Sequence, residues 1–287
     1  MSTGAPFRTF VSVPDLARGR DESWVVIDAR FDLTDSRAGL DAYRAGHLPG
    51  AVYAHLDEDL SGPRIPGETG RRPLPSPDDL ASALRTWGAS PGTQVVVYDD
   101  RSGSMAAARL WVLLRWLGHE DVAVLDGGFP AWLRAGLPIS RALPGPRAGT
   151  LQPHLRPEWV AETPDVTAAM TQASTVLIDA RPADVYRGTG SSLDRVPGHI
   201  PGARCLPVAV IEGEHGQLAS RETLRLRYSS LGALDPGTRS RIAYCGSGVW
   251  AAQHVLALTH LGVPNARLYV GSFSEWLVDE DRPAQTS

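Results

Sequence analysis

The sequence predicts an α/β protein: two tandem copies of one domain, each a parallel sheet flanked by helices. Repetition is the first observation behind this reading. Val25-Val-Ile-Asp-Ala-Arg30 returns as Val176-Leu-Ile-Asp-Ala-Arg181, and Gly46-His-Leu-Pro-Gly-Ala51 returns as Gly198-His-Ile-Pro-Gly-Ala203. Val95-Val-Val-Tyr98 is matched by Arg241-Ile-Ala-Tyr244, and Phe129-Pro-Ala-Trp132 by Phe273-Ser-Glu-Trp276. Four matches in one order mean a duplicated domain rather than a short-period solenoid. Length is the second observation, since 287 residues suit two domains of roughly 100 to 200 each. The third is an alternation of short β-branched runs with helical periods, the signature of parallel strands covered by helices.

In the first copy, residues 24–28, 94–98 and 122–125 read as strands, and residues 77–87 and 105–117 as helices. Pro77-Asp-Asp ahead of an apolar period starts the first of these helices, and Gly118 ends the second. In the second copy, residues 241–244 read as a buried strand and residues 249–261 as an amphipathic helix. The Pro/Gly-rich stretch 138–153 has neither period. The expected division is therefore a first domain over residues 5–142, a linker at 143–153 and a second domain over 154–285.

A net charge of -4 gives no nucleic-acid or membrane footprint. No stretch reaches the ~18 apolar residues of a membrane span, and residues 1–8 contain no apolar leader core, so a cytoplasmic location is expected. Two cysteines, Cys205 and Cys245, exclude a disulfide framework and a cysteine zinc cluster, and no cofactor or metal is implied. All 28 basic residues are arginine. Schiff-base chemistry on lysine is excluded, and an anionic substrate must be held by arginine, backbone or hydroxyls.

The chemistry concentrates at Tyr244-Cys-Gly-Ser-Gly-Val249, between the strand at 241–244 and the helix that follows. Sites in parallel α/β folds lie beyond the carboxyl ends of strands, where Cys245 falls. Gly246, Ser247, Gly248 and Val249 let successive amides face one concavity, and the helix adds its positive end. Such a loop stabilises an anion on sulfur, either a thiolate or a persulfide. A merely structural buried cysteine would have no need of flanking glycines.

These residues together resemble the tandem-domain rhodanese family of sulfurtransferases: Asp-Ala-Arg after a strand, Gly-His-Ile-Pro-Gly-Ala, the cysteine loop, and Phe-x-x-Trp closing each copy. The resemblance implies transfer of sulfane sulfur through a Cys245 persulfide in the second domain, beside a silent first domain. Asp99 after Tyr98 stands opposite Cys245 and supplies no nucleophile. The implied partners are a small sulfur donor, 3-mercaptopyruvate or thiosulfate, and a thiol or cyanide acceptor, thioredoxin among them.

The Cys-Gly-Ser-Gly-Val loop resembles that of the 3-mercaptopyruvate sulfurtransferases, whereas thiosulfate-preferring members often place two cations after the cysteine. Ser247 is read either as a proton donor and acceptor for the substrate or as a helix cap. Trp250 departs from the family's threonine and either roofs the pocket or packs between domains. Val185 stands where relatives binding mercaptopyruvate carry arginine, so Arg187 or Arg195 is expected to hold the carboxylate. Arg72 replaces a family histidine and could compensate for Val185; with Asp57 it marks the first-domain loop expected to wall the site.

His254, at a helical rise of about 13 Å from Cys245, is too far to act as its base. His47, His199 and the pairs Asp28–Arg30 and Asp179–Arg181 recur in both copies and read as structural, and Cys205 as an inert thiol. A rhodanese-like phosphatase would want arginine six residues beyond the cysteine, where Ala251 stands. A noncatalytic sulfur-binding or scaffold module is the remaining alternative, opposed by the intact Cys245 loop.

Overall fold

The computed structural model describes residues 5–21 and 23–287. Residues 1–4, half of the segment read for a leader, lie outside the described residues. Two compact units form: Met1–Ser61, Pro75–Arg156 and Glu214–Leu218 make up unit 1, and Gly62–Leu74, Pro157–Gly213 and Ala219–Ser287 make up unit 2. The units thus exchange short segments across the sequence boundary. Residues 62–74, from the first half of the chain, pack with the second sheet.

Unit 1 contains β1 (Phe10–Val11), α1 (Val13–Gly19), β2 (Val25–Asp28), α2 (Ala38–Ala45), β3 (Val52–Tyr53), α3 (Pro77–Thr86), β4 (Val95–Tyr98), α4 (Ala107–Trp116), β5 (Val122–Leu125) and α5 (Gly128–Arg134). Its sheet is parallel in the order β1-β5-β4-β2-β3. Unit 2 repeats the series with β6 (Val160–Ala161), α6 (Thr163–Ala169), β7 (Thr175–Asp179), α7 (Ala183–Arg187), β8 (Arg204–Cys205), α8 (Arg221–Ser230), β9 (Ser240–Tyr244), α9 (Ala251–His260), β10 (Ala266–Tyr269) and α10 (Ser272–Trp276). Its parallel order, β6-β10-β9-β7-β8, is the same arrangement. Two helix-flanked parallel sheets are the architecture expected from the repeats.

The strands read as unbroken apolar runs because helices cover both faces: every residue of β2, β4 and β5 is buried. α4 and α9 are buried almost all round, which explains their dense apolar composition. Ser76 caps α3 by accepting from the Asp79 amide, with Pro77 at the first turn. The two-residue strands β1, β3, β6 and β8 are too short to show a period.

The repeated motifs form one brace in each unit. Arg30 Nη2 donates to Asp28 Oδ2 at 2.6 Å and to the Gly46 carbonyl at 2.7 Å, with its guanidinium 4.1 Å from the Phe129 ring centre. Arg181 repeats this with Asp179 at 2.6 Å, Gly198 at 2.7 Å and Phe273 at 4.3 Å. Tyr98 and Tyr244 accept from the amides of Leu48 and Ile200, both at 3.1 Å. His47 and His199 stack on Tyr43 and Tyr186 and bond the carbonyls of those tyrosines. Each brace ties the Gly-His turn to the sheet.

Among the described residues no helix is long and apolar enough to cross a membrane.

Candidate functional site

Cys245 follows β9 at its carboxyl end, one residue past the pairing of Tyr244 with Asp179 of β7. It is a free thiol, 3% exposed. The turn after β10 clamps its backbone. The Cys245 amide donates to Ser272 Oγ at 3.1 Å, and Ser272 Oγ donates to the Tyr269 carbonyl at 2.8 Å. The Phe273 amide donates to the Cys245 carbonyl at 3.0 Å and the Ser274 amide to the Gly246 carbonyl at 3.1 Å. Ser272 makes these contacts from φ 56°, a left-handed conformation costly for a side chain that is fully buried. Gly248, at φ 71°, needs its missing Cβ to turn the chain toward α9.

The helix begins later than the sequence predicts. α9 starts at Ala251, with Trp250 as N-cap and no side chain capping it. Ser247 is therefore not the helix cap. The glycine-rich loop runs four residues further before helical geometry closes, and the buried Ser247 hydroxyl instead accepts from Arg72 Nη1 at 3.3 Å. Val249 is buried, while Gly246 and Trp250 are half-buried.

Segment 62–74 brings two arginines to this loop. Gly70 lies so close to the Gly271 carbonyl that a Cβ would stand 2.7 Å from it, which fixes glycine there. Arg71 then donates its amide to Ser274 Oγ at 3.0 Å and pairs its guanidinium with Asp194. Arg71 Nη2 fills the space a Cβ at Gly246 would need, at 2.6 Å. Glycine at 246 therefore makes room for a guanidinium. Asp194 also accepts from Ser192 Oγ at 2.9 Å and lies 3.6 Å from Arg181 Nη1. A cavity of about 360 Å³ in unit 2 is lined by Arg71, Asp194, Ser274, Arg64, Arg195 and Leu277 among others.

Of the other expected site residues, only Arg195 lines this cavity. Arg187 is exposed at the end of α7, where its charge acts on Cys205. Arg195 is half exposed and is spent on the Leu277 carbonyl at 2.8 Å and Glu280 at 3.6 Å. Asp57 belongs to unit 1, exposed, with its amide on His55 Nδ1 at 3.2 Å. Cys205, at the end of β8, is pushed up to about 11 by burial and by the Asp179 carboxylate. His254 is fully buried between Tyr228 Oη at 2.9 Å and the Leu206 carbonyl at 2.9 Å, and burial lowers it to about 4. Arg71, Asp194, Ser272 and Ser274 were not singled out by the sequence reading. The doubled arginine after Gly70 was the available signal for the first.

Unit 1 carries an informative counterpart. The Phe129 amide donates to the Asp99 carbonyl at 2.8 Å, as Phe273 does to Cys245, so the two residues occupy equivalent places. The Asp99 carboxylate, fully buried, accepts from the amides of Arg101, Gly103, Met105 and Ala107 at 2.9 to 3.3 Å. Burial raises its pKa while those four hydrogen bonds pull the other way. Burial prevails, and after this strand four loop amides converge on one carboxyl group.

Fold, motifs and cysteine loop define a class, and family comparison agrees. The rhodanese-like domain model matches residues 12–135 and 163–279, and the chain belongs to the rhodanese family of sulfurtransferases. A Pseudomonas aeruginosa protein named "Probable 3-mercaptopyruvate sulfurtransferase" is 41% identical over 271 residues, covering 94% of this chain and 95% of its own. A Mycobacterium tuberculosis protein named as a candidate thiosulfate sulfurtransferase, SseB, is 40% identical over 261 residues, 90% of this chain and 89% of its own. The crystal structure of the 3-mercaptopyruvate sulfurtransferase SseA from Escherichia coli superposes with a TM-score of 0.81 at 34% identity, covering 94% of this chain and all of SseA.

Proposed function

We propose that this chain carries sulfane sulfur on Cys245 as a persulfide, while unit 1 does no chemistry of its own. The Cys245 thiolate attacks the transferable sulfur of a small anionic donor. With 3-mercaptopyruvate the C–S bond breaks, its electron pair passes to the enolate of pyruvate, and a proton then gives pyruvate. Ser247, whose hydroxyl accepts from Arg72 Nη1, is placed to relay that proton. A thiolate or cyanide acceptor next attacks the outer sulfur and releases the Cys245 thiolate. A dithiol protein of the thioredoxin kind would suit this second step, and a cytoplasmic setting would supply one.

The observation that carries this reading is the Asp99 carboxylate, held by four amides at the place equivalent to Cys245. A strand-end loop of this design is suited to negative charge, and in unit 2 that charge would sit on sulfur.

The loop sequence, lacking its own cations, argues against thiosulfate; yet Arg71 and Arg72 stand at Gly246 and Ser247 and supply cations from another segment. Both donors are therefore proposed, with 3-mercaptopyruvate the better because the departing enolate can use the Ser247 proton. Cys245→Ser should abolish transfer from either donor, and mass spectrometry of the wild type after donor treatment should find one added sulfur on Cys245. Transfer surviving in Cys245→Ser would overturn the proposal.

A further inference from the structure

Of the arginines expected from the sequence, Arg187 is exposed at the end of α7, and Arg195, which lines the same cavity as Arg71, is bonded to the Leu277 carbonyl and Glu280. Arg71 packs against Gly246 of the Cys245 loop. We propose that Arg71 binds the oxyanion of the sulfur donor at this loop, carboxylate or thiosulfate oxygen alike, with Asp194 as its positioning residue. The inference rests on Cys245 being the sulfur carrier.

Arg71 is fixed at three points before any donor arrives. Its amide is held by Ser274 Oγ, its guanidinium by Asp194, and its Nη2 sits in the space left open at Gly246. The Asp194 side chain is only 2% exposed, whereas that of Arg71 is 22% exposed and lines the 360 Å³ cavity. A planar fork with one edge on a buried carboxylate keeps further N–H groups for a ligand, and little rotamer entropy remains to be lost on binding.

Charge and hydrogen bonding in the cluster point the same way. Arg71 and Arg181 are paired with Asp194 and Asp179, and Arg72 donates to Ser247 beside them. Arg181 Nη1 is buried without a hydrogen-bond partner, its nearest carboxylate oxygen 3.6 Å away on Asp194. Among the described residues that one N–H has no acceptor within hydrogen-bonding distance, and an oxyanion beside Asp194 would supply one. Gly246 completes the case, because any side chain there would displace the guanidinium.

The test alkylates Cys245 with iodoacetate and with the neutral iodoacetamide, in a Cys205→Ser background so that a single thiol reacts. A residue that draws in oxyanions raises the first rate relative to the second; a merely structural residue moves both together. Arg71→Ala should lower the ratio roughly 10- to 150-fold, the range for a charge-assisted contact. Arg71→Lys keeps the charge beside Asp194 but loses the fork, and should fall between. Asp194→Asn should lower the ratio in the same direction. In steady state Arg71→Ala should raise KM for 3-mercaptopyruvate, thiosulfate or both, with kcat largely held, and the donor affected identifies the oxyanion bound. An unchanged alkylation ratio in both Arg71 variants, with KM unchanged for both donors, would overturn the assignment. The alkylation ratio involves no sulfur transfer, so it is read independently of whether the persulfide reading survives Cys245→Ser.

Discussion

Replacing Ser272 by glycine sets two effects of known size against each other. At φ 56° the wild-type residue bears a strain of roughly 1–2 kcal/mol, which glycine would relieve. The hydroxyl, however, accepts from the Cys245 amide and donates to the Tyr269 carbonyl, both buried. Orphaning each costs about 1–3 kcal/mol. Two such groups lose about 2–6 kcal/mol against a relief of about 1–2, for a net destabilisation of about 0–5 kcal/mol with its centre near 2.5. Alanine loses the hydroxyl and keeps the strain, so stability should fall in the order wild type, Ser272→Gly, Ser272→Ala. Urea melts of all three measure the order. Sulfur transfer should fall with the loss of the anchor on the Cys245 peptide, on the order of 10- to 100-fold, as displacement of a reacting atom by a fraction of an ångström does. A Ser272→Gly protein as stable and as active as wild type would show that the hydroxyl neither holds the cysteine loop nor offsets its own strain. Gly128, which takes φ 55° at the equivalent position of unit 1, makes glycine a fair replacement.

Three further outcomes follow from burial. Iodoacetamide near pH 8 should label Cys245 and spare Cys205, whose thiol is pushed up to about 11, and labelling of Cys205 should rise only as pH approaches that value; equal labelling at pH 8 would contradict this placement. His254 is neutral when folded and titrates near 4, but near 6.5 when unfolded, so the unfolded chain binds more protons between these values. Stability should therefore rise with pH from about 4 to about 6.5, by up to about 3 kcal/mol from this group, and His254→Asn should flatten that part of the urea-midpoint profile. Asp99→Asn replaces one carboxylate oxygen by a donor and strands two of the four amides, for a loss of about 2–6 kcal/mol; an unchanged melt would mean the carboxylate does not hold the loop.

The duplicated sheets were legible because their signals are local and doubled: the Asp-Ala-Arg and Gly-His turns recur with the same partners, and buried parallel strands are apolar without interruption. The two-residue strands were not, having no room for a period. Nor was the start of α9, because a glycine-rich loop and a first helical turn look alike until backbone angles are known. At the candidate site, the glycines around Cys245 made it the expected sulfur carrier from the sequence. Arg71 was not expected, because its role depends on segment 62–74 packing with unit 2, a long-range placement that no spacing encodes. Arg187 was expected to stand in for the arginine missing at Val185, and the structure places it exposed at the end of α7, where its charge acts on Cys205.

On the proposed function, the comparison of Asp99 with Cys245 gives a physical reason for unit 1 to do no chemistry. A carboxylate brings two strong acceptor oxygens to the loop amides and occupies all four of those it meets, so the loop of unit 1 is complete in itself. A thiol brings one weak acceptor. On the proposed function, the loop of unit 2 must instead accommodate an outer sulfur or a donor oxygen that the loop of unit 1 has no need to hold. The loops differ in length to match, α4 starting at Ala107 and α9 at Ala251, so the route from strand to helix is two residues longer in unit 1. Placing cysteine at 99 would therefore not recreate the second site. That loop would still lack the tighter turn, the serine that anchors the cysteine amide, where unit 1 has Gly128, and the guanidinium that Gly246 admits.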